Sequence, residues 1–210
     1  MGNRQWVDVG GNNTTYTVDA DTNRYTQWGS SNATYDYLGS MVSSGEWNYT
    51  YDKENRLTGA SDNQTTASYT YDAFGRRIEK SVNGTVTKFV YSGDQIVAEY
   101  ASNGTLLRKY IYGPGIDEPL AMITANNTSY YYHAAGLGSV SEVTDSNRAV
   151  VESYSYDVYG ETQIKDDEGE VISESAIGNR YGFTGREYDG ETGLYHYRAR
   201  SYNPEVGRFM

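Results

Sequence analysis

The sequence predicts an all-β chain of repeated antiparallel hairpins with little or no helix. Three observations lead there. Tyr51, Tyr71, Tyr91, Tyr112 and Tyr132 follow one another at intervals of 20, 20, 21 and 20 residues, the mark of a repeated supersecondary unit. Turn signals arrive about every ten residues, twice per tyrosine interval, as one hairpin per repeat requires. Between the turns recur the β-branched and aromatic residues that strands favour.

The pattern starts loosely at the amino terminus. Val18-Asp19 followed by Asn23-Arg24-Tyr25-Thr26 echoes Tyr51-Asp52 followed by Asn55-Arg56-Leu57-Thr58, and Tyr35-Asp36-Tyr37-Leu38-Gly39 is a further rung. Steps of 17 and 16 residues separate positions 18, 35 and 51. From Tyr49-Thr50-Tyr51-Asp52 onward the rule is plain. Tyr69-Thr70-Tyr71 ends a strand and runs into Asp72-Ala73-Phe74-Gly75, where Asp first and Gly fourth is type I turn chemistry. The next strand, 76–82, stops at Asn83-Gly84, the strongest two-residue hairpin signal. A strand over 85–91 returns, Ser92-Gly93-Asp94 turns, 95–100 extends, Asn103-Gly104 turns again, and 105–112 closes the run at Tyr110-Ile111-Tyr112. Tyr132 continues the series, and Tyr154-Ser155-Tyr156-Asp157 adds a rung after a gap of 24. Side chains alternate along a strand, so both tyrosines of a Y-x-Y pair share one face. Successive rungs are expected to stack their rings in register, each pair adding roughly 0.5–1.5 kcal/mol beyond burial.

Composition narrows the function. Hydrophobic residues make up only 37% of the 210, and 23 tyrosines against 4 phenylalanines point to amphipathic packing in which each hydroxyl keeps a partner. The net charge is -11, from 17 basic and 28 acidic residues, and the basic ones form no stripe, which argues against nucleic acid as a partner. There is no cysteine, hence neither disulfides nor thiolate metal sites. No apolar run approaches a membrane span, and Met1-Gly2-Asn3-Arg4-Gln5-Trp6 lacks the apolar stretch of a signal peptide. An exported protein would then carry this chain as part of a longer one, or leave by another route.

The rung Tyr71-Asp72-Ala73-Phe74-Gly75-Arg76 resembles the YD repeats of RHS proteins, which are related to the repeats of insecticidal toxin complexes and teneurins. Tyr132-His133, Leu137-Gly138-Ser139-Val140, Thr144-Asp145 and Tyr156-Asp157-Val158-Tyr159-Gly160 look like the opening of the RHS repeat-associated core region. The stretch 181–209 resembles its signature segment almost letter for letter, with Gly185, Arg186, Glu187, Asp189, Thr192, Gly193, Leu194, Arg198, Arg200, Gly207 and Arg208 in place. The resemblance divides the chain into a YD-repeat array, 1–129, and the core region, 130–210. It implies a YD-repeat β-spiral forming a partial shell, sealed at its carboxyl-terminal end by the core region. In such proteins the shell commonly encloses a toxic carboxyl-terminal segment, released by self-cleavage at Asp-Pro motifs downstream of the Gly-Arg-Phe stretch. The sequence stops at Met210, just after Gly207-Arg208-Phe209, so neither cleavage nor payload is expected of this stretch. Ala135 stands where the family usually has Asp or Asn, and Asn203 stands where Asp usually precedes the proline.

The residues for catalysis are sparse. His133 and His196 are the two imidazoles, no nucleophile motif or phosphate loop occurs, and no cofactor is implied. Glu187, Asp189 and Glu191 resemble the paired acids of glycoside cleavage, but pairing with Arg186, Arg198 and Arg200 is the simpler expectation. Asp19-Ala20-Asp21-Thr22-Asn23 starts like a calcium loop but has Arg24 where glycine is needed, and 166–170 reads as a solvated hairpin tip. Asn12, Asn13, Asn32, Asn48, Asn63, Asn83, Asn103, Asn126 and Asn127 each head an N-x-S/T triplet, the acceptor for glycosylation in exported proteins. Fifteen asparagines among 39 Ser plus Thr would give about three by chance.

These readings converge on a non-enzymatic structural module of an extracellular or cell-surface protein, which encloses or displays a carboxyl-terminal segment. Its partners would be the remaining repeats of a longer parent, or other copies joined through strand edges. Two alternatives are an adhesin whose tyrosine-rich face engages a glycan or a cell-surface protein, and a fragment of a self-cleaving toxin.

Overall fold

The computed structural model describes residues 3–9 and 12–210; Met1 and Gly2 of the amino-terminal reading, and the side chain of Asn12, lie outside what is described. The chain opens with β1 (Trp6–Val9), β2 (Asn12–Val18), β3 (Tyr25–Trp28), β4 (Ser31–Tyr35), β5 (Met41–Ser44) and β6 (Trp47–Tyr51). It continues through β7 (Leu57–Ser61), β8 (Thr66–Tyr71), β9 (Arg77–Val82), β10 (Thr85–Ser92), β11 (Gln95–Ala101) and β12 (Leu106–Tyr112). Then follow β13 (Pro119–Thr124), β14 (Ser129–Ala134), β15 (Val140–Thr144), β16 (Val150–Tyr156), β17 (Thr162–Asp166) and β18 (Val171–Ile172). Each of these strands pairs antiparallel with the next, giving one 18-stranded meander that runs through position 130 without a break. A second, four-stranded sheet holds β19 (Glu187–Asp189), β20 (Leu194–Tyr197), β21 (Arg200–Asn203) and β22 (Arg208–Phe209). The all-β expectation therefore holds, the helical content being two single 3-10 turns among the described residues.

The repeat works through its turns. Asp52 accepts the backbone N–H of Glu54 and Arg56 at 2.9 and 3.0 Å, and its other oxygen takes Arg56 Nε at 2.7 Å. Asp72 does the same for Phe74 and Arg76, both at 2.9 Å, and for Arg76 Nε at 2.8 Å. The fourth turn residue is left-handed, Asn55 at φ 64° and Gly75 at φ 80°, which Asn and Gly tolerate best. The register shifts by one at Tyr51 and at Tyr71, as it does at Tyr35, Tyr91 and Tyr112, so these rung tyrosines sit on a bulge. The Ala135 turn closes without a side-chain cap, through Ala135 N–H to the Ser139 carbonyl at 2.8 Å.

That bulge sets the pitch of the ladder. Tyr35 is paired with Met41, whose carbonyl accepts the Tyr51 hydroxyl at 2.9 Å; Tyr51 is paired with Leu57, whose carbonyl accepts the Tyr71 hydroxyl at 2.7 Å. Tyr71 pairs with Arg77, which accepts Tyr91 at 3.0 Å, and Tyr91 pairs with Ile96, which accepts Tyr112 at 2.9 Å. Tyr156 reaches the Val140 carbonyl at 2.6 Å in the same way. Turn arginines cover the next ring along, Arg56 over Tyr71 at 5.0 Å and Arg76 over Tyr91 at 5.2 Å. This corrects the expected ring-on-ring ladder: among the described residues, no ring contact joins successive rungs of this series. Rungs stand two strands apart, about 9.5 Å, beyond the reach of aromatic pairing.

The first tyrosine of each pair faces inward, with Tyr49, Tyr69, Tyr110 and Tyr154 all buried. Tyr132, expected as a rung, joins this inward set instead, because the bulge of its strand falls at Ala134, two residues on. Leu194, Val206 and Met210 fill one core cluster with Tyr16, Trp28, Tyr49 and Tyr69, while Tyr181 sits in the other with Phe89, Tyr110 and Tyr132. The carboxyl-terminal segment thus lies inside the bend of the meander. Arg4 stacks on Tyr159 at 3.7 Å, so the sheet curls until its beginning and its β16–β17 turn meet.

Tyr71→Phe should lower stability by about 1 kcal/mol, the net worth of one hydrogen bond, and Tyr71→Ala by roughly 3–5 kcal/mol. Tyr37→Ala, at a position 93% exposed, should leave the urea midpoint where it is. Equal effects at both tyrosines would sink the ladder.

Candidate functional site

The groups with most chemical potential lie between the two sheets. Glu187 and Asp189 are two apart on β19 and share a face, directed at β9 of the meander. Asp189 takes both terminal nitrogens of Arg77, at 2.5 and 2.9 Å, and Lys80 Nζ at 3.1 Å. Glu187 binds Arg77 at 3.1 Å and Arg180 at 2.7 Å, and Glu191 binds Lys80 at 2.9 Å while accepting the Tyr69 hydroxyl at 3.0 Å. Glu99 of β11 completes the cluster, with Arg180 at 2.9 Å, Arg108 at 3.5 Å and the Tyr110 hydroxyl at 2.8 Å. Four carboxylates face four cations, with Arg77 and Glu99 only 1% and 2% exposed.

Charge balance decides what this cluster can do. Burial alone would raise the pKa of Asp189, but Arg77, Lys80 and Arg180 outweigh it and hold the carboxyl far below the usual carboxylate range. Burial likewise disfavours the Arg77 cation, yet Asp189 and Glu187 push its pKa well above the ordinary value. Asp189, locked in its ionised form, fastens rather than transfers protons, and Glu187 and Glu191 are each ion-paired beside it, so these acids do not read as a glycosidase pair. His196, buried in β20, is driven well below its ordinary pKa by burial and by Arg77, and is held neutral. His133 is exposed on β14 and lies 3.0 Å from the Thr144 hydroxyl.

Arg186 and Arg198 are not the partners of these acids, contrary to expectation. They grip Asp117, in the β12–β13 turn, at 2.9 and 2.7 Å, and Arg200 covers the Phe209 ring at 4.1 Å. Alternation explains the exchange: Arg186 precedes Glu187 and takes the opposite side of the strand. Gly185, at φ 69°, rests on the Asp117 carbonyl, where a Cβ would collide with backbone. Gly193 closes the β19–β20 turn with its N–H 2.9 Å from the Asp189 carbonyl, beside Thr192 and Leu194, and Gly207 closes the last turn onto Pro204 at 3.2 Å. Arg208 spans back to the first repeats, over Tyr25 at 4.3 Å and onto the Asn23 carbonyl at 2.7 Å.

Sequence reasoning missed Arg77, Lys80, Glu99, Arg180 and a second polar knot. Glu152, fully buried, accepts Ser175 Oγ, Ile177 N–H and the Tyr154 hydroxyl, while Asn179 bonds Tyr132, Tyr154 and both backbone groups of Tyr181. The available signal was parity. Arg77, Glu99 and Glu152 occupy inward positions of otherwise alternating strands, where an unpaired charge would not be tolerated.

Asp189→Asn should cost about 3–5 kcal/mol by stranding the buried Arg77, whereas joint replacement by Arg77→Met and Asp189→Leu should recover most of it. His196 gives a pH signature. An unfolded histidine gains a proton below about pH 6.5 while the folded one does not, so stability should fall by up to about 1.4 kcal/mol per pH unit on acidification from there. Urea midpoints at pH 7, 6 and 5 should drop accordingly in the natural protein and lose that slope in His196→Gln.

Comparison with known proteins agrees with this architecture. The Teneurin YD-shell family model matches residues 2–210. The tRNA3(Ser)-specific nuclease WapA of Bacillus spizizenii is 34% identical over the whole chain, which spans 9% of that protein. Salivary gland surface protein 1 of Aedes aegypti is 39% identical over 48% of the chain and 3% of its own length. Among solved structures, the Photorhabdus luminescens Tc holotoxin pore superposes with a TM-score of 0.65 at 18% identity, covering 94% of this chain and 12% of that one. The TcdB2-TccC3 crystal structure gives 0.56 at 16% identity, over 94% and 12% of the two chains, and both likenesses speak to fold. With a tyrosine-pitched meander curled around an ion-paired inner sheet, and a family match across 2–210, the chain belongs to the teneurin YD-shell family.

Proposed function

We propose that this chain is a non-enzymatic stretch of shell wall together with the inner sheet that plugs it, part of a longer exported or cell-surface protein that encloses or displays a further segment. The observation that carries the reading is the buried cluster of Arg77, Lys80, Arg180, Glu99, Glu187 and Asp189, which ties the inner sheet to the wall. Its acids are spent on cations, leaving fastening as their role. The curated relatives are far longer, since the chain spans 9% of two Bacillus proteins and 3% of a third. Among the described residues, the end strands β1 and β18 of the meander pair with one strand each, which suits continuation by further repeats or by another copy.

A second reading concerns the parent. Three Bacillus relatives are named tRNA nucleases, which supports a toxin parent in which this chain houses the active segment. An enclosed segment in the full-length gene product should resist limited proteolysis and become cleavable in Asp189→Asn. Equal digestion of both would overturn enclosure. The chain on its own should self-associate through its edges, and a monomer at all concentrations in sedimentation velocity would count against edge pairing.

A further inference from the structure

An antiparallel meander has two rims, and its hairpins alternate between them. The hairpins β2–β3, β4–β5 and so on to β16–β17 form one rim, the tyrosine rim; β1–β2, β3–β4 and so on to β17–β18 form the opposite rim. All nine N-x-S/T triplets fall on the second. Asn12 and Asn13 start β2, Asn32 and Asn48 follow the β3–β4 and β5–β6 turns, and Asn63, Asn83 and Asn103 stand in the next three. Asn126 and Asn127 occupy the β13–β14 turn, so every hairpin of this rim from β1–β2 to β13–β14 carries a triplet. The tyrosine-rim asparagines, Asn23 and Asn55, are followed by Arg24-Tyr25 and Arg56-Leu57 and head none.

Turn chemistry accounts for Asn83-Gly84 and Asn103-Gly104 but not for the whole set. Asn13, Asn32 and Asn48 lie inside strands, where asparagine is a poor choice. Each is exposed, and the hydroxyl two residues on, in Thr15, Thr34 and Thr50, shares its outer face. All eight asparagines whose burial is described are exposed. The opposite rim has a different surface: among the described residues, the five large apolar side chains more than 80% exposed, Tyr37, Phe74, Ile116, Leu137 and Val158, all belong to its turns.

We propose that the asparagine rim carries N-linked oligosaccharide, up to one per hairpin from β1–β2 to β13–β14, while the tyrosine rim stays bare. At each site the asparagine Nδ2 bonds to the anomeric carbon of a sugar activated as a lipid diphosphate. The anomeric C–O bond breaks, the diphosphate leaves with its electron pair, and the amide gives up one proton to a base. Adjacent acceptors at 12–13 and 126–127 take one sugar per pair, because two branched chains cannot occupy neighbouring residues.

The proposal rests on the exported parent inferred above, and the experiment separates the two. The protein is isolated from the medium or surface of the cells that produce it, treated with an amidase that releases N-linked sugars, and its peptides weighed. Release converts an occupied asparagine to aspartate, a gain of about 1 Da per site. Expected are such conversions at hairpins of the asparagine rim and a large loss of intact mass. Thr85→Ala and Thr105→Ala, which keep the turn asparagines, should each remove one sugar without moving the urea midpoint. Protein found outside the cell with no conversion overturns the glycan rim alone. Protein found only inside the cell overturns export and the glycan rim with it.

Discussion

A tyrosine hydroxyl held against a carbonyl in the neighbouring strand is the interaction on which the meander depends. The acceptor is the residue paired across the bulge with the previous tyrosine, so each rung measures its position from the one before. Each bond is worth only about 1 kcal/mol. Their effect is cumulative, because a polypeptide of mean hydropathy -0.73 has few aliphatic side chains to fix strand register by bulk. In the turns after Tyr51 and Tyr71 an aspartate completes the device by taking the N–H groups that the bulge and the reversal would leave unpaired.

The inner sheet is held differently. Its interface with the wall is paired charge in a water-poor setting, where the cost of taking ions from water is offset only when every partner is present. That makes the contact selective more than strong. A wall lacking Arg77, or an inner sheet lacking Asp189, would leave an uncompensated ion, so mismatched combinations are penalised. Gly185 against Asp117, with Arg186 and Arg198 gripping the same aspartate, adds a second point of registration.

Local chemistry was legible in the sequence and distant pairing was not. Tyrosine spacing, Asp-first turns and Asn-Gly hairpins placed the strands from Tyr69 to Tyr112 because each signal acts over a few residues. The ring-stacked ladder failed because spacing along the chain says nothing of separation across the sheet, which puts rungs two strands apart. The acids of the signature segment were expected to choose the nearest arginines, whereas Asp189 chose Arg77, 112 residues away. Such a choice follows from which residues face inward once the meander has curled. Parity could have flagged Arg77, Glu99 and Glu152 as inward charges, yet not who meets whom.

The alternation of hairpins between rims acts as a reading frame for the surface. Inserting or deleting one strand would send every later turn to the other side, exchanging polar tips for apolar ones throughout the remainder. Adding or losing two strands at once preserves the assignment. Lineages of such chains are therefore free to lengthen or shorten only in whole hairpin quanta, and a surface marking established on one edge is inherited by each new unit without further selection for its placement.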